Sequence, residues 1–180
     1  MFCAPGYHRP RDPHSSAPVA EQLLAVRKSA QSDAWQQAAE LTSVIVYRGA
    51  PSNQREARLY AVSQAQRAEW TRSALVEVHY RALRYPPRWP QEPAREKGID
   101  VLLAINLVRL ADSGRYEVLV LGSHDTDLEP ALEMAAGLGG AKIETAGWAG
   151  AKHLRVPPQS LWHTALDAAA FVASRDRRQY

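Results

Sequence analysis

The sequence predicts an α/β fold built on a mainly parallel sheet, and two observations carry that prediction. Thr42-Ser43-Val44-Ile45-Val46-Tyr47 is a near-continuous β-branched run, the mark of a strand covered on both faces. Strand-like and helical segments then alternate along the rest of the chain, which is how parallel strands are connected. The size agrees: 180 residues, 46% hydrophobic and 23% charged, suit one domain with one core.

Taken in order, residues 1–17 mix prolines and polar residues without periodicity and read as a flexible leader, with a single domain over 18–180. From Pro18 the pattern turns helical, with Val19, Leu23 and Val26 on one face and Ser16 available as a cap. A second helical stretch is expected over 33–41, ahead of the β-branched strand, which Ala50-Pro51-Ser52-Asn53 breaks. A polar helix over 54–73 leads to a strand over 75–85, marked by alternating Val76, Val78 and Tyr80. The proline-rich segment 85–93 is a loop. An apolar helix over 99–111 and a strand over 116–121 follow, then a helix over 128–138 that Gly139-Gly140 stops. A strand over 142–145, a glycine-rich turn and a last helix over 160–174 complete the expectation.

Composition excludes more than it selects. No stretch approaches the roughly 20 apolar residues of a membrane span, so no membrane partner is expected. One cysteine, Cys3, leaves no internal disulfide and no cysteine-built metal site, which suits a cytoplasmic location. A net charge of +3 permits a nucleic-acid partner without arguing for one.

Ligands of open parallel sheets bind beyond the carboxyl ends of the strands. The strand ending at Leu121 runs into Gly122-Ser123-His124-Asp125-Thr126-Asp127-Leu128, where two aspartates are well placed for a hard divalent cation. Helix capping is the plain alternative. Pro130 favours Asp127 as the cap, which leaves Asp125 without a structural explanation. On the helix over 99–111, Leu103, Ala104, Leu107 and Val108 form an apolar face with Asp100 at its centre, and Asn106 and Arg109 lie opposite. A carboxylate on a core-facing side needs compensation from the helix N-terminus, from Lys97 or from a metal ion.

Two blocks together are more specific. Glu96-Lys97-Gly98-Ile99-Asp100-Val101 with Leu103-Ala104-Ile105-Asn106-Leu107 resembles the EKGxDVxLAxDL segment of NYN domains, in the PIN-like nuclease superfamily. Tyr116 to Leu128, YEVLVLGSHDTDL, is similar to the YDxAVLxSxDSDL segment of the same family, and the spacing between the blocks fits. The resemblance implies a PIN-like, Rossmann-like three-layer sandwich and a ribonuclease that hydrolyses RNA phosphodiesters with Mg²⁺ or Mn²⁺. By motif position Asp100, Asp125 and Asp127 would be the catalytic and metal-holding carboxylates. Ser123 would hydrogen-bond a phosphate or a carboxylate, and Lys97, Arg84, Arg81 and Arg88 would attract the RNA backbone.

Two departures qualify that picture. The family's opening strand ends in an Asp-Gly-x-Asn type motif, and nothing between Met1 and Thr42 matches it, so the first strand is expected to be missing. That would leave a sheet edge for a protein partner or a second copy to cover. Asn106 stands where the family segment usually has Asp. The competing function is therefore a degenerate NYN domain that binds RNA or protein without cutting. A Toprim-like phosphotransfer site also uses an Asp-x-Asp, but needs a glutamate after an early strand, and Tyr47-Arg48-Gly49 supplies none. His124 reads as exposed turn filler, Trp148, Trp162 and His163 as packing residues, and Tyr85 and Trp89 as a possible base-stacking loop.

Overall fold

The computed structural model describes residues 2–3, 16–31 and 38–175. Among the described residues, six strands, β1 (Phe2–Cys3), β2 (Val44–Ala50), β3 (Val76–Ala82), β4 (Val118–Gly122), β5 (Lys142–Trp148) and β6 (Trp162–Leu166), form one sheet in the order β3-β2-β1-β4-β5-β6. Every adjacent pair is parallel. The α-helices among the described residues are α1 (Ser16–Ala30), α2 (Ala57–Trp70), α3 (Ile99–Asp112), α4 (Glu129–Leu138) and α5 (Ala168–Ala173).

Parallel strands must be crossed over by helices, so both faces of such a sheet are covered. The alternation within β2 shows it. Ile45 and Tyr47 pack with Leu119, Leu121 and Ile143 beneath α3 and α4. Val44 and Val46 pack with Val76, Val78, Trp70 and Ala20 on the opposite side. Farther along that side, Val19 and Leu23 of α1 meet Ala146, Leu166 and Ala170. The result is the expected three-layer α/β sandwich.

α1 is also held by charge. Arg27 Nε and Nη2 donate to the two carboxylate oxygens of Glu144 on β5, at 2.6 and 2.8 Å. Lys142 Nζ lies 3.0 Å from Glu144 Oε1, and Glu144 itself is fully buried. Burial alone would raise the Glu144 carboxyl, but the hydrogen bonds from Arg27 and Lys142 outweigh it and hold the group below its ordinary value.

Four expectations need correction. The opening strand is present: Phe2 pairs with Val46 and with Gly122, so β1 occupies the central slot between β2 and β4. Two residues flanked by strands on both sides leave no apolar run to recognise. Between the early halves of β2 and β4, Val44, Ile45, Val118 and Leu119 help to line a cavity of about 110 Å³. The end of the chain is not one helix, because Trp162–Leu166 forms β6 before the short α5. Of the helix expected over 33–41, residues 38–41 are non-helical and 32–37 lie outside the described residues. Finally, the buried row of α3 is Ile99, Leu103, Leu107 and Ala111, so Asp100 flanks the apolar face. Most of the expected leader also lies outside the described residues, although α1 already begins at Ser16.

Candidate functional site

Chain direction across the sheet reverses between β1 and β4: β2 and β3 lie to one side, β5 and β6 to the other. The carboxyl ends of strands flanking such a reversal form a crevice. The turn after β4 borders that crevice, and the start of α3 faces it from the loop after β3.

The β4 turn is built by its own side chains. Ser123 is 4% exposed, and its Oγ accepts the Asp125 amide at 3.1 Å. Asp125 Oδ1 accepts the Asp127 amide at 3.0 Å and caps a single 3₁₀ turn, Thr126–Leu128, that leads into α4. This reverses the expected assignment, in which Asp127 was the cap. The inserted 3₁₀ turn moves the start of α4, so that Pro130 falls in its first turn, where a missing N–H costs nothing. Asp127 is exposed and Asp125 half-buried.

The start of α3 is fixed by three neighbours. Glu96 Oε1 accepts the Gly49 amide at 2.7 Å, tying the loop to the end of β2. A side chain at Gly49 would strike Leu83 and Glu96, so only glycine lets them close in. Gly98 turns the chain into the helix at φ 78°, with the Arg81 guanidinium lying against it. Sequence reasoning gave Glu96 no role, although it opens the Glu-Lys-Gly block that identified this segment.

Asp100, half-buried in the first turn of α3, comes within electrostatic reach of both turn carboxylates. Burial first, and then the Asp125 charge, hold the Asp100 carboxyl above its ordinary value; Asp127 adds to the push, and the backbone N–H of Asp100 opposes it. The three aspartates singled out by sequence are therefore gathered from two elements into one negative patch. Asn106 points elsewhere: its Nδ2 donates to the buried Tyr47 hydroxyl at 2.9 Å.

A model of the NYN domain matches residues 21–156. The chain belongs to the NYN domain family. Comparison with curated proteins and with solved structures returns no match. The family match includes α3, the β4 turn and all three aspartates, whereas β1, β6 and α5 lie outside it. NYN domains belong to the PIN-like nuclease superfamily, bind RNA in general, and as nucleases generally depend on divalent metal.

Whether the NYN patch suits such an ion turns on its donors. Three carboxylates, one of them raised by burial and then by the Asp125 charge, offer the hard oxygen ligands and the negative charge that Mg²⁺ or Mn²⁺ requires. As they stand they are not a closed cage, because among the described residues no group of three His, Cys, Asp or Glu is close enough to hold a metal. Behind Cys3 the sequence runs Ala4-Pro5-Gly6-Tyr7, and the first carboxylate is Asp12, outside the described residues.

Beside the patch, Arg81, Arg84, Lys97, Gly98 and Val101 line a groove of about 890 Å³ along the end of β3. Arg84 and Lys97 are both exposed, and among the described residues none of the three cations has an acidic partner. Arg88, by contrast, pairs with Glu92 at 3.0 Å. No helix among the described residues is long and apolar enough to cross a membrane.

His124 is a clamp on the β4 turn. Its Nδ1–H donates to the Lys152 carbonyl at 3.0 Å, and its Nε2 accepts the Trp148 amide at 3.3 Å. The ring lies against Gly147, where any Cβ would collide with it. The expectation of an exposed filler failed because both partners lie more than twenty residues downstream. Trp148 does pack, edge-on to Phe171 at 5.4 Å. His163 sits on β6 with its ring stacked 3.7 Å from His153.

Proposed function

We propose that this NYN domain is a divalent-metal-dependent ribonuclease that hydrolyses RNA phosphodiesters at the patch formed by Asp100, Asp125 and Asp127. The observation that supports this reading is their grouping: carboxylates from two separate elements lie within electrostatic reach of one another beside the strand reversal, and Asp100 is raised by burial and then by Asp125. Charge gathered against its own repulsion marks functional sites more often than purely structural ones.

In this reading the three aspartates hold Mg²⁺ or Mn²⁺, which supplies Lewis-acid stabilisation of the phosphoryl oxygens and an acidified water. The protein's own part is positional. Ser123 and the Asp125 cap hold the turn in shape, while Glu96 and Gly98 hold the start of α3. Lys97 and Arg84 bind the RNA backbone on the groove side, where they offset phosphate charge next to the acidic patch. Ser123 is buried under the turn and serves the substrate through the loop it shapes.

The alternative, an RNA- or protein-binding NYN domain without catalysis, draws on the missing carboxylate directly after β1 and on Asn106. Calorimetric titration of Mn²⁺ into the wild type and into Asp100→Asn separates the two. The nuclease reading expects binding that the substitution weakens about tenfold or more, since ligand charge count sets affinity for a hard dication. Equal binding by both proteins, or none by either, sinks it.

A further inference from the structure

We propose that the Tyr85–Trp89 loop and Arg55 form a stacking platform for the unpaired bases of an RNA strand whose phosphates follow Arg84, Lys97 and Arg81 toward Asp100. The inference builds on the reading of this domain as one that acts on RNA, and adds where the strand lies and that it is single-stranded.

The loop is a closed excursion from the sheet. Arg84 and Arg95 exchange backbone hydrogen bonds at 2.8 and 2.9 Å, so residues 85–94 stand on a fixed base. Within it Tyr85 and Trp89 meet edge to face, with centroids 5.6 Å apart. The Arg55 guanidinium lies over both rings, 5.0 Å from Tyr85 and 5.9 Å from Trp89. The Tyr85 hydroxyl donates to Glu56 at 2.5 Å and accepts the Ser52 amide at 2.8 Å, pinning the loop to the end of β2.

Neither ring belongs to the packed clusters that form the core. Arg55 is exposed and both rings are half-buried, so the cluster reaches the surface. An aromatic pair that the core does not need, held rigid and backed by a guanidinium, offers π-faces and a cation together. That is the recognition chemistry of single-stranded nucleic acid: stacking tolerates any base, and arginine adds cation–π attraction.

Charge points the same way. Residues 48–98 carry ten Arg or Lys against five Glu, whereas 99–175 carry six against nine acidic residues. The excess positive charge therefore lies on the β2–β3 side, where the platform stands. Arg84 links the two parts, since it precedes Tyr85 and lines the groove that ends at Lys97 and Gly98, two residues before Asp100. A duplex holds its bases inside the stack and would leave these rings nothing to bind.

The test is fluorescence anisotropy of the full chain with a labelled oligouridylate and with a duplex of equal length, in EDTA so that nothing is cut. Wild type should prefer the single strand. Trp89→Ala and Arg55→Ala should each weaken that binding, Trp89→Ala about tenfold, while Trp89→Phe stays within about threefold of wild type. Lys97→Ala should lower the salt dependence by about one released counterion. Equal affinities of wild type, Trp89→Ala and Arg55→Ala would overturn the platform alone and leave the catalytic reading standing. A duplex bound as tightly as the single strand would overturn the choice of partner. Failure of wild type to bind either oligonucleotide, with capture of an acidic peptide instead, would overturn both readings.

Discussion

Burial, and then the charge of Asp125 on the β4 turn, hold the Asp100 carboxyl of α3 above its ordinary value. A carboxylate raised in the folded state binds its proton more tightly there than in the unfolded chain. Its stabilising contribution is complete below the unfolded value and is lost as pH rises through the folded one.

Asp100→Asn should therefore stabilise the fold at neutral pH while weakening the site. Because Asp100 still touches solvent, the effect is modest, a Tm rise of about 2 °C at pH 7 that disappears below pH 4. Thermal melts of both proteins across pH 3–8 check it. A lower Tm for Asp100→Asn at neutral pH would mean that the carboxylate is needed structurally.

His163 runs in the opposite direction. Burial, and then the neighbouring His153 and His124, depress it to about 4. A depressed histidine contributes stability that is present above the unfolded value near 6.5 and is lost as pH falls toward 4. Wild type should lose stability over that window more steeply than His163→Gln, by about 3 °C in Tm after discounting for its partial exposure. The imidazole resonances of His163, followed by NMR, should titrate near 4; a midpoint above 6 would contradict the stacked, buried placement.

Arg27 and Glu144 form the one pair among the described residues whose two side chains are both nearly inaccessible, 3% and 0% exposed. Removing Arg27 leaves the buried Glu144 carboxylate with Lys142 as its remaining cation, so Arg27→Ala should cost about 3 kcal/mol in denaturant unfolding, the low end for breaking a buried pair. Replacing both with apolar residues of similar volume, Arg27→Met with Glu144→Leu, should recover most of that loss. A single substitution without cost would show that the pair does not anchor α1.

Gly147→Ala should destabilise the β4 turn, because its Cβ needs the space of the His124 ring. The expected cost is about 1–3 kcal/mol. In a His124→Ala background the same change should cost little, since the obstacle is gone. An equal cost in both backgrounds would place the strain elsewhere.

These residues also show what a single sequence discloses. β2 was legible because four consecutive apolar or β-branched residues are covered on both faces. The α3 and β4 blocks were legible because an ordered motif fixes register as well as composition. β1 was not, since a two-residue strand owes its place to Val46, Tyr47 and Gly122 rather than to its own pattern. β6 was taken for helix because only Thr164 and Leu166 mark its buried side, next to an alanine-rich stretch. At the turn after β4, the capping roles of Asp125 and Asp127 were exchanged because nothing local announces a 3₁₀ turn. The clamps, Glu96 on Gly49 and His124 on Trp148 and Lys152, depend on contacts distant in sequence.

Asn106 offers a check on which groups belong to the patch. It faces Tyr47, so Asn106→Asp should leave Mn²⁺ affinity within about twofold, the range expected for a charge outside the first ligand shell. A marked gain in affinity would bring position 106 into the site.

Cleavage itself is the most direct measurement. Labelled single-stranded RNA is incubated with the full chain in Mn²⁺ and in EDTA, alongside Asp125→Asn and Asp100→Asn. The account predicts cleavage by wild type in Mn²⁺ only, with a loss of about a hundredfold or more in either variant, the scale of removing a charge that stabilises the transition state. Cleavage undiminished in Asp125→Asn, or intact RNA with wild type in Mn²⁺ and in Mg²⁺ alike, would contradict it.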